Sequence, residues 1–163
     1  MGPTSPLTTA LAADHAGAAP VPSLSREALW AKPRTVAVVG LSPRPERDSH
    51  EVARYLQAHG WRIVPVNPAA GTATILGEPV HPDLTSAAQA SSAAGTPIEL
   101  VNCFRHTEEI PAIVDDAIAI GARGVWTQYG IRHDAAADKA RAAGLLVVQD
   151  QCLMVEHRRA ARA

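Results

Sequence analysis

The sequence predicts an α/β fold built on a five-stranded, mostly parallel sheet, and three observations carry that prediction. Five short runs, at 36–39, 61–66, 98–104, 124–128 and 145–148, are rich in β-branched and apolar residues, as strands covered on both faces must be. The segments between them are long enough for a helix rather than a tight hairpin, which calls for right-handed crossovers. Glycines at 60, 121 and 144 close helical stretches shortly before the next strand begins.

Taken in order, residues 1–24 are rich in Ala, Pro, Thr and Ser and offer little surface to bury. They are expected to form a disordered tail ahead of a single domain over 25–163. Ser25 is a fit N-cap for a short helix with Leu29 and Trp30 on its apolar side and Pro33 just beyond its end. The first strand runs into Gly40, and Ser49 is the expected cap of the next helix, whose core stripe is Val52, Tyr55 and Leu56. Pro65 in the second strand points toward an edge, because proline cannot donate to a sheet ladder. Residues 67–97 read as irregular, with Gly71, Gly77, two X-Pro steps and a weak helical patch over 84–90. After the third strand a helix opens at Thr107, with Ile110, Ile113, Val114, Ala117 and Ile118 facing the core. The fourth strand, an alanine-rich helix over 133–143 and the fifth strand follow. Residues 156–159, Glu-His-Arg-Arg, read as a solvated helical end.

Composition excludes several classes of function. A chain of 163 residues is one domain by length. A net charge of −1 argues against general nucleic-acid binding. No apolar run approaches the roughly 20 residues of a membrane-spanning helix, and the N-terminal stretch lacks the charged leader and apolar core of a secretory signal. Cys103 and Cys152 lie far apart, which suits a reducing cytoplasm and provides no zinc framework. Seven histidines show no metal-binding spacing, so no metal is expected, and no Gly-x-Ser-x-Gly elbow is present. Cys103, inside a strand, is expected to be inert, with Cys152 the more exposed thiol.

In a parallel sheet of this kind ligands bind beyond the carboxyl ends of the strands. That rule nominates the loop of Gly40, Leu41, Ser42, Arg44 and Arg47, together with Ser49 at the start of the following helix. A strand, a glycine and a helix N-terminus offer N–H groups to a phosphate, and the two arginines add matching charge. The Gly-x-Gly-x-x-Gly fingerprint of dinucleotide enzymes is absent, since Gly40 stands alone. After the second strand come Asn67 and Pro68, where NAD enzymes carry an acid for the ribose hydroxyl. A neutral residue there tolerates a phosphate on the ribose, which disfavours NAD and leaves coenzyme A and NADP open. Phe104 and Arg105 follow the third strand, and Gln128 and Gly130 the fourth, completing the nominated rim.

The motifs VAVVGLSPRPERDSHEVARYL, GWRIVPVNP, LGEPVHPDL, VNCFR, GARGVWTQYGI and DQCLMVEHRR, in that order, resemble the small stand-alone bacterial CoA-binding proteins. Those proteins are similar to the nucleotide-binding domain at the start of the succinyl-CoA synthetase α-subunit. The resemblance implies a three-layer, Rossmann-like fold and a small-molecule partner, coenzyme A or an acyl-CoA. By this analogy Gly40, Ser42 and the 44–47 loop would meet phosphates, while Asn67, Pro68, Phe104 and Arg105 flank adenosine and pantetheine. No nucleic-acid or membrane partner is implied, and a homodimer stays open. Ligase activity is not implied, because the sequence contains no second domain with a phosphorylated histidine. Asn102, Tyr129 and Gln151 depart from the family pattern, where Asp, Leu and Arg are more usual; loss of an arginine at the rim is expected to weaken phosphate binding.

A binding module without catalysis of its own is therefore the leading expectation. The alternatives are an NADP-dependent or acyl-CoA-handling enzyme, using His106 or Tyr129 for proton transfer, and a regulatory protein whose Cys152 forms a mixed disulfide with CoA.

Overall fold

The computed structural model describes residues 23–163, so the expected tail lies almost wholly outside the described residues. Leu24, read as its last residue, is instead buried against the core. The chain then runs α1 (Arg26–Leu29), β1 (Thr35–Val39), α2 (Asp48–Ala58), β2 (Arg62–Val66), β3 (Thr74–Ile75), β4 (Glu78–Pro79), α3 (Leu84–Ala93) and β5 (Leu100–Cys103). A 3₁₀ turn (Thr107–Glu109) leads to α4 (Ile110–Ala119), β6 (Gly124–Thr127), α5 (Asp134–Ala142), β7 (Leu146–Val148) and α6 (Leu153–Ala161).

Five strands form the expected parallel sheet in the order β2-β1-β5-β6-β7. Val36 and Val38 face a core under α1, α2 and α6, which includes Leu29, Leu56, Trp126 and Leu153. Ala37, Val101 and Val125 face a second core under α3, α4 and α5. Burial on both faces is why these strands read as unbroken apolar runs rather than alternating ones. The chain passes from β1 to β2 on one side, then back across β1 to β5 on the other. The winding therefore reverses between β1 and β5, which opens a crevice at their carboxyl ends.

Several local expectations hold, and others shift for identifiable reasons. Ser25 caps α1, its hydroxyl accepting from the Ala28 N–H at 3.0 Å. β2 is an edge strand, as Pro65 suggested, and its outer side is partly occupied by His81, whose N–H donates to the Pro65 carbonyl. The stretch read as irregular contains the antiparallel pair β3–β4, too short to show a periodicity. α3 runs further than its weak apolar pattern indicated, starting from Asp83, whose carboxylate accepts the Ser86 N–H at 2.7 Å. That bond holds the Asp83 carboxyl below its usual range. The helical end expected at 156–159 is part of the longer helix α6, anchored by the fully buried Leu153.

Where α1, the end of α2 and α6 meet, His157 packs edge-on to Trp30, Tyr55 and Trp61, with His59 5.2 Å away between ring centres. Its Nδ1 shares a 2.9 Å hydrogen bond with the Tyr55 hydroxyl. Burial, followed by the neighbouring His59, holds the His157 pKa below its ordinary value of 6.5. The unfolded chain therefore binds this proton more readily than the folded one, and the associated stability is lost as pH falls below 6.5 through the lowered folded value. Thermal melts should show Tm falling across that window, with a shallower fall in His157→Gln; equal slopes in both proteins would remove His157 as the cause.

Candidate functional site

The crevice between β1 and β5 is closed at its base by the protein itself. Gly40 has φ +87°, and its N–H donates to the Val66 carbonyl at 2.8 Å. A Cβ on Gly40 would lie 2.6 Å from the Phe104 carbonyl oxygen and 2.7 Å from Arg105 Cδ. The glycine is thus required by the close passage of two loops, a role that sequence reasoning assigned to the approach of a ligand. Leu41 turns its side chain fully into the core, and its carbonyl accepts from Asn67 Nδ2 at 2.9 Å. The Asn67 Oδ1 in turn accepts the Ala69 N–H at 2.9 Å, so Asn67 does form the expected turn before Pro68 while also tying β2 to the β1 loop.

Ser49 is not the helix cap. α2 begins at Asp48 with Arg47 in the cap position, and Ser49 is buried one residue further on. Its hydroxyl accepts the Ser42 N–H at 3.0 Å, while the Ser42 hydroxyl accepts the Arg44 N–H at 3.1 Å. The backbone donors at 40, 42 and 44 are therefore engaged within the protein. What the loop offers a ligand is the Ser42 hydroxyl, the guanidinium groups of Arg44 and Arg47, and the α2 start at Asp48 and Ser49, ahead of the His50 and Glu51 N–H groups that donate to the Arg47 carbonyl.

These groups border a hollow of about 400 Å³ that Phe104 closes on one side. Arg44 rests on Glu46 at 2.9 Å with both side chains well exposed, a pairing of little energetic weight that a phosphate could replace. Glu46 is held below its usual carboxyl range first by its own backbone N–H and then by Arg44. Arg105 donates to Glu109 Oε1 through Nε at 3.2 Å and Nη2 at 2.9 Å, which lowers the Glu109 pKa.

Beyond Phe104 and Arg105 lies a larger cavity of about 490 Å³. Gln128 and Gly130 are on its wall. Gln128 is buried and donates through Nε2 to Asn102 Oδ1 at 2.7 Å, and the Gly130 N–H is taken by Asp150 Oδ1 at 2.7 Å. The opposing walls come from α2, with Asp48, Glu51 and Val52, and from the start of α6, with Cys152, Met154 and Val155. Of these, sequence reasoning named Cys152 and missed Met154, Val155 and the whole α2 wall, although Asp48, Glu51 and Val52 carry the i, i+3, i+4 spacing of one helical face. A third hollow, of about 170 Å³, opens on the other side of Gly40 and Arg105 and includes Pro68 and Leu84. Gly40 and Arg105 thus stand between it and the larger spaces.

Cys152 is the more exposed thiol, as expected, although both are buried: it is 6% exposed in the cap position of α6, against 0% for Cys103. Burial pushes the Cys103 thiol up to about 12, in keeping with an inert strand residue. Gln151 does not border these hollows. Its Oε1 accepts from Arg26 Nη2 at 2.6 Å, and its carbonyl accepts the Trp126 indole N–H at 2.7 Å. His106 and Tyr129 both reach the large cavity, with Tyr129 63% exposed. Among the described residues no group of three or more His, Cys, Asp or Glu could hold a metal ion, and no helix is long and apolar enough to cross a membrane.

Comparison with known proteins decides the family. The profile of the CoA binding domain matches residues 34–158, which spans the sheet, the rim and most of α6. This chain belongs to the CoA binding domain family. Among its relatives is the uncharacterized protein YneT of Bacillus subtilis, 34% identical over 124 residues, covering 76% of this chain and 85% of YneT. A solved structure of the PH1109 protein redesigned for binding superposes with a TM-score of 0.71 at 34% identity, covering 84% of this chain and 90% of that one. A hypothetical protein from Pyrococcus horikoshii OT3 superposes with a TM-score of 0.68 at 35% identity, over 81% of this chain and 87% of the other. The CoA binding domain of this chain thus has the three-layer, Rossmann-like architecture the resemblance implied.

Proposed function

We propose that this protein binds coenzyme A or an acyl-CoA along the carboxyl rim of its sheet, as a ligand-binding module. The observation that carries the reading is the position of Arg44 and Arg47 over a hollow at the start of α2, flanked by two further spaces. Coenzyme A has the matching layout of a nucleotide at one end, phosphates, and a long arm ending in a thiol. Membership of the CoA binding domain family supports the same ligand. The neutral Asn67, held between Leu41 and Ala69, places no carboxylate beside a ribose phosphate.

Charge-assisted hydrogen bonds contribute about 1.5–3 kcal/mol each, so replacing both Arg44 and Arg47 by alanine should weaken CoA binding by about 100-fold or more. Calorimetric titration with CoA and 3′-dephospho-CoA measures this directly. Unchanged affinity in the double variant would take both arginines out of the site. An enzymatic reading draws on one observation, that His106 and Tyr129 border the same cavity. It requires turnover of an acyl-CoA or NADP substrate that disappears when either residue is replaced. A thiol-linked reading draws on Cys152 in that cavity, and an intact-mass increase of one CoA that survives Cys152→Ser would eliminate it.

A further inference from the structure

We infer that the cavity between α2 and α6 is an acyl pocket, so that the preferred ligand is a CoA thioester with a short, uncharged, apolar acyl chain. This rests on the CoA reading above and adds to it the chemical class of the group at the sulfur end. The argument begins with space. At about 490 Å³ the cavity falls in the range of small-molecule sites, roughly 300–1,000 Å³, and it borders the arginine hollow through Asp48 and Phe104. The 170 Å³ hollow on the other side of Gly40 falls below that range and suits a single planar group. An arm running from the arginines past Phe104 therefore enters the large cavity with its sulfur leading.

The lining then selects what the sulfur carries. Val52, Phe104, Ile131, Met154 and Val155 present apolar surface to the cavity, and methionine adapts readily to chains of different shape. Charge selects further. Asp48 and Glu51 stand one helical turn apart on the α2 wall, both exposed to the space. Across from them Arg105 is engaged by Glu109 at 2.9 Å, and the His106 backbone N–H donates to the same carboxylate at 3.2 Å. A second carboxylate on the acyl chain would meet two acids, and would have to displace Glu109 and its His106 N–H contact to reach Arg105. An apolar chain meets a wall it can cover.

The test is titration of the full chain with CoA, butanoyl-CoA, hexanoyl-CoA and succinyl-CoA. Butanoyl and succinyl groups have the same number of carbons and differ in the terminal carboxylate. Each methylene buried should tighten binding by roughly fourfold, so hexanoyl-CoA should bind at least about tenfold more tightly than CoA. Succinyl-CoA should bind about tenfold or more weakly than butanoyl-CoA, because it brings like charges together. Replacing Asp48 by Asn and Glu51 by Gln should narrow the butanoyl-to-succinyl ratio, a comparison in which any effect on phosphate binding cancels. If CoA binds and hexanoyl-CoA gains nothing, or succinyl-CoA matches butanoyl-CoA, the acyl pocket is overturned while the CoA reading stands. If none of the four binds, the CoA reading itself falls and takes the pocket with it.

Discussion

Gly40→Ala should lose stability and ligand binding together. The residue has φ +87°, a region that costs an L-residue about 1–2 kcal/mol. Its new Cβ would also sit 2.6 Å from the Phe104 carbonyl oxygen, a backbone atom that cannot rotate away. Forcing an extra carbon into a closed space costs about 1–3 kcal/mol more, so a total of about 2–5 kcal/mol is expected. The strain has one outlet, which is separation of the β1 loop from the β5 loop. That movement would pull Arg44 and Arg47 away from Phe104, so CoA affinity should fall even in the fraction that remains folded. Urea unfolding gives the first quantity, and titration under strongly native conditions gives the second. A variant with wild-type stability would mean that the two loops do not pass this closely.

Arg34→Met should destabilise the fold by a comparable or larger amount, with no direct part in the rim. Arg34 is buried at the opposite end of β1, where its Nη1 meets Glu99 Oε1 at 3.0 Å. Its Nε donates to the Leu29 carbonyl at 3.2 Å, and Nη2 donates to the Ala28 carbonyl. One guanidinium thus satisfies the last carbonyls of α1 and a carboxylate just ahead of β5. Methionine keeps most of the stem but takes the guanidinium from the Leu29 carbonyl and from Glu99, which keeps the Thr35 N–H, while the Ala28 carbonyl keeps the Ala31 N–H. Removing one partner of a buried ion pair costs about 3–5 kcal/mol, a large share of the roughly 5–15 kcal/mol that holds a domain together. Glu99→Gln should cost less, because an amide oxygen can still accept the Thr35 N–H that Glu99 Oε2 now takes at 3.0 Å. A loss below about 1 kcal/mol in Arg34→Met would show that α1 contributes little to the folded domain.

Much of the fold was legible because the relevant signals are local. Strands buried on both faces must be apolar along their whole length, and glycines ended the helices at positions where the backbone turns left-handed. Misreadings arose where a side chain had two local uses. Ser49 looks like a cap by type and position, yet its hydroxyl is taken by the Ser42 N–H and the helix starts one residue before it. Asp83 and the short β3–β4 pair carry too little periodicity to separate them from loop. Arg44 and Arg47 were legible as rim residues because the residues after a parallel strand reach the rim by geometry alone, and both border the hollow at the start of α2.

By itself the sequence determined the alternation of strands and helices, which residues follow the strands at the carboxyl rim, and the neutral character of position 67, since each depends on residues close together in the chain. The tertiary structure alone decided the strand order, which places β5 beside β1 and so explains why position 40 admits no side chain. It also decided the large cavity. Residues 48–52 and 152–155 face each other there only because α2 and α6 share one layer over the same side of the sheet. Packing between elements distant in sequence creates that space, and no local pattern encodes its walls as a pair.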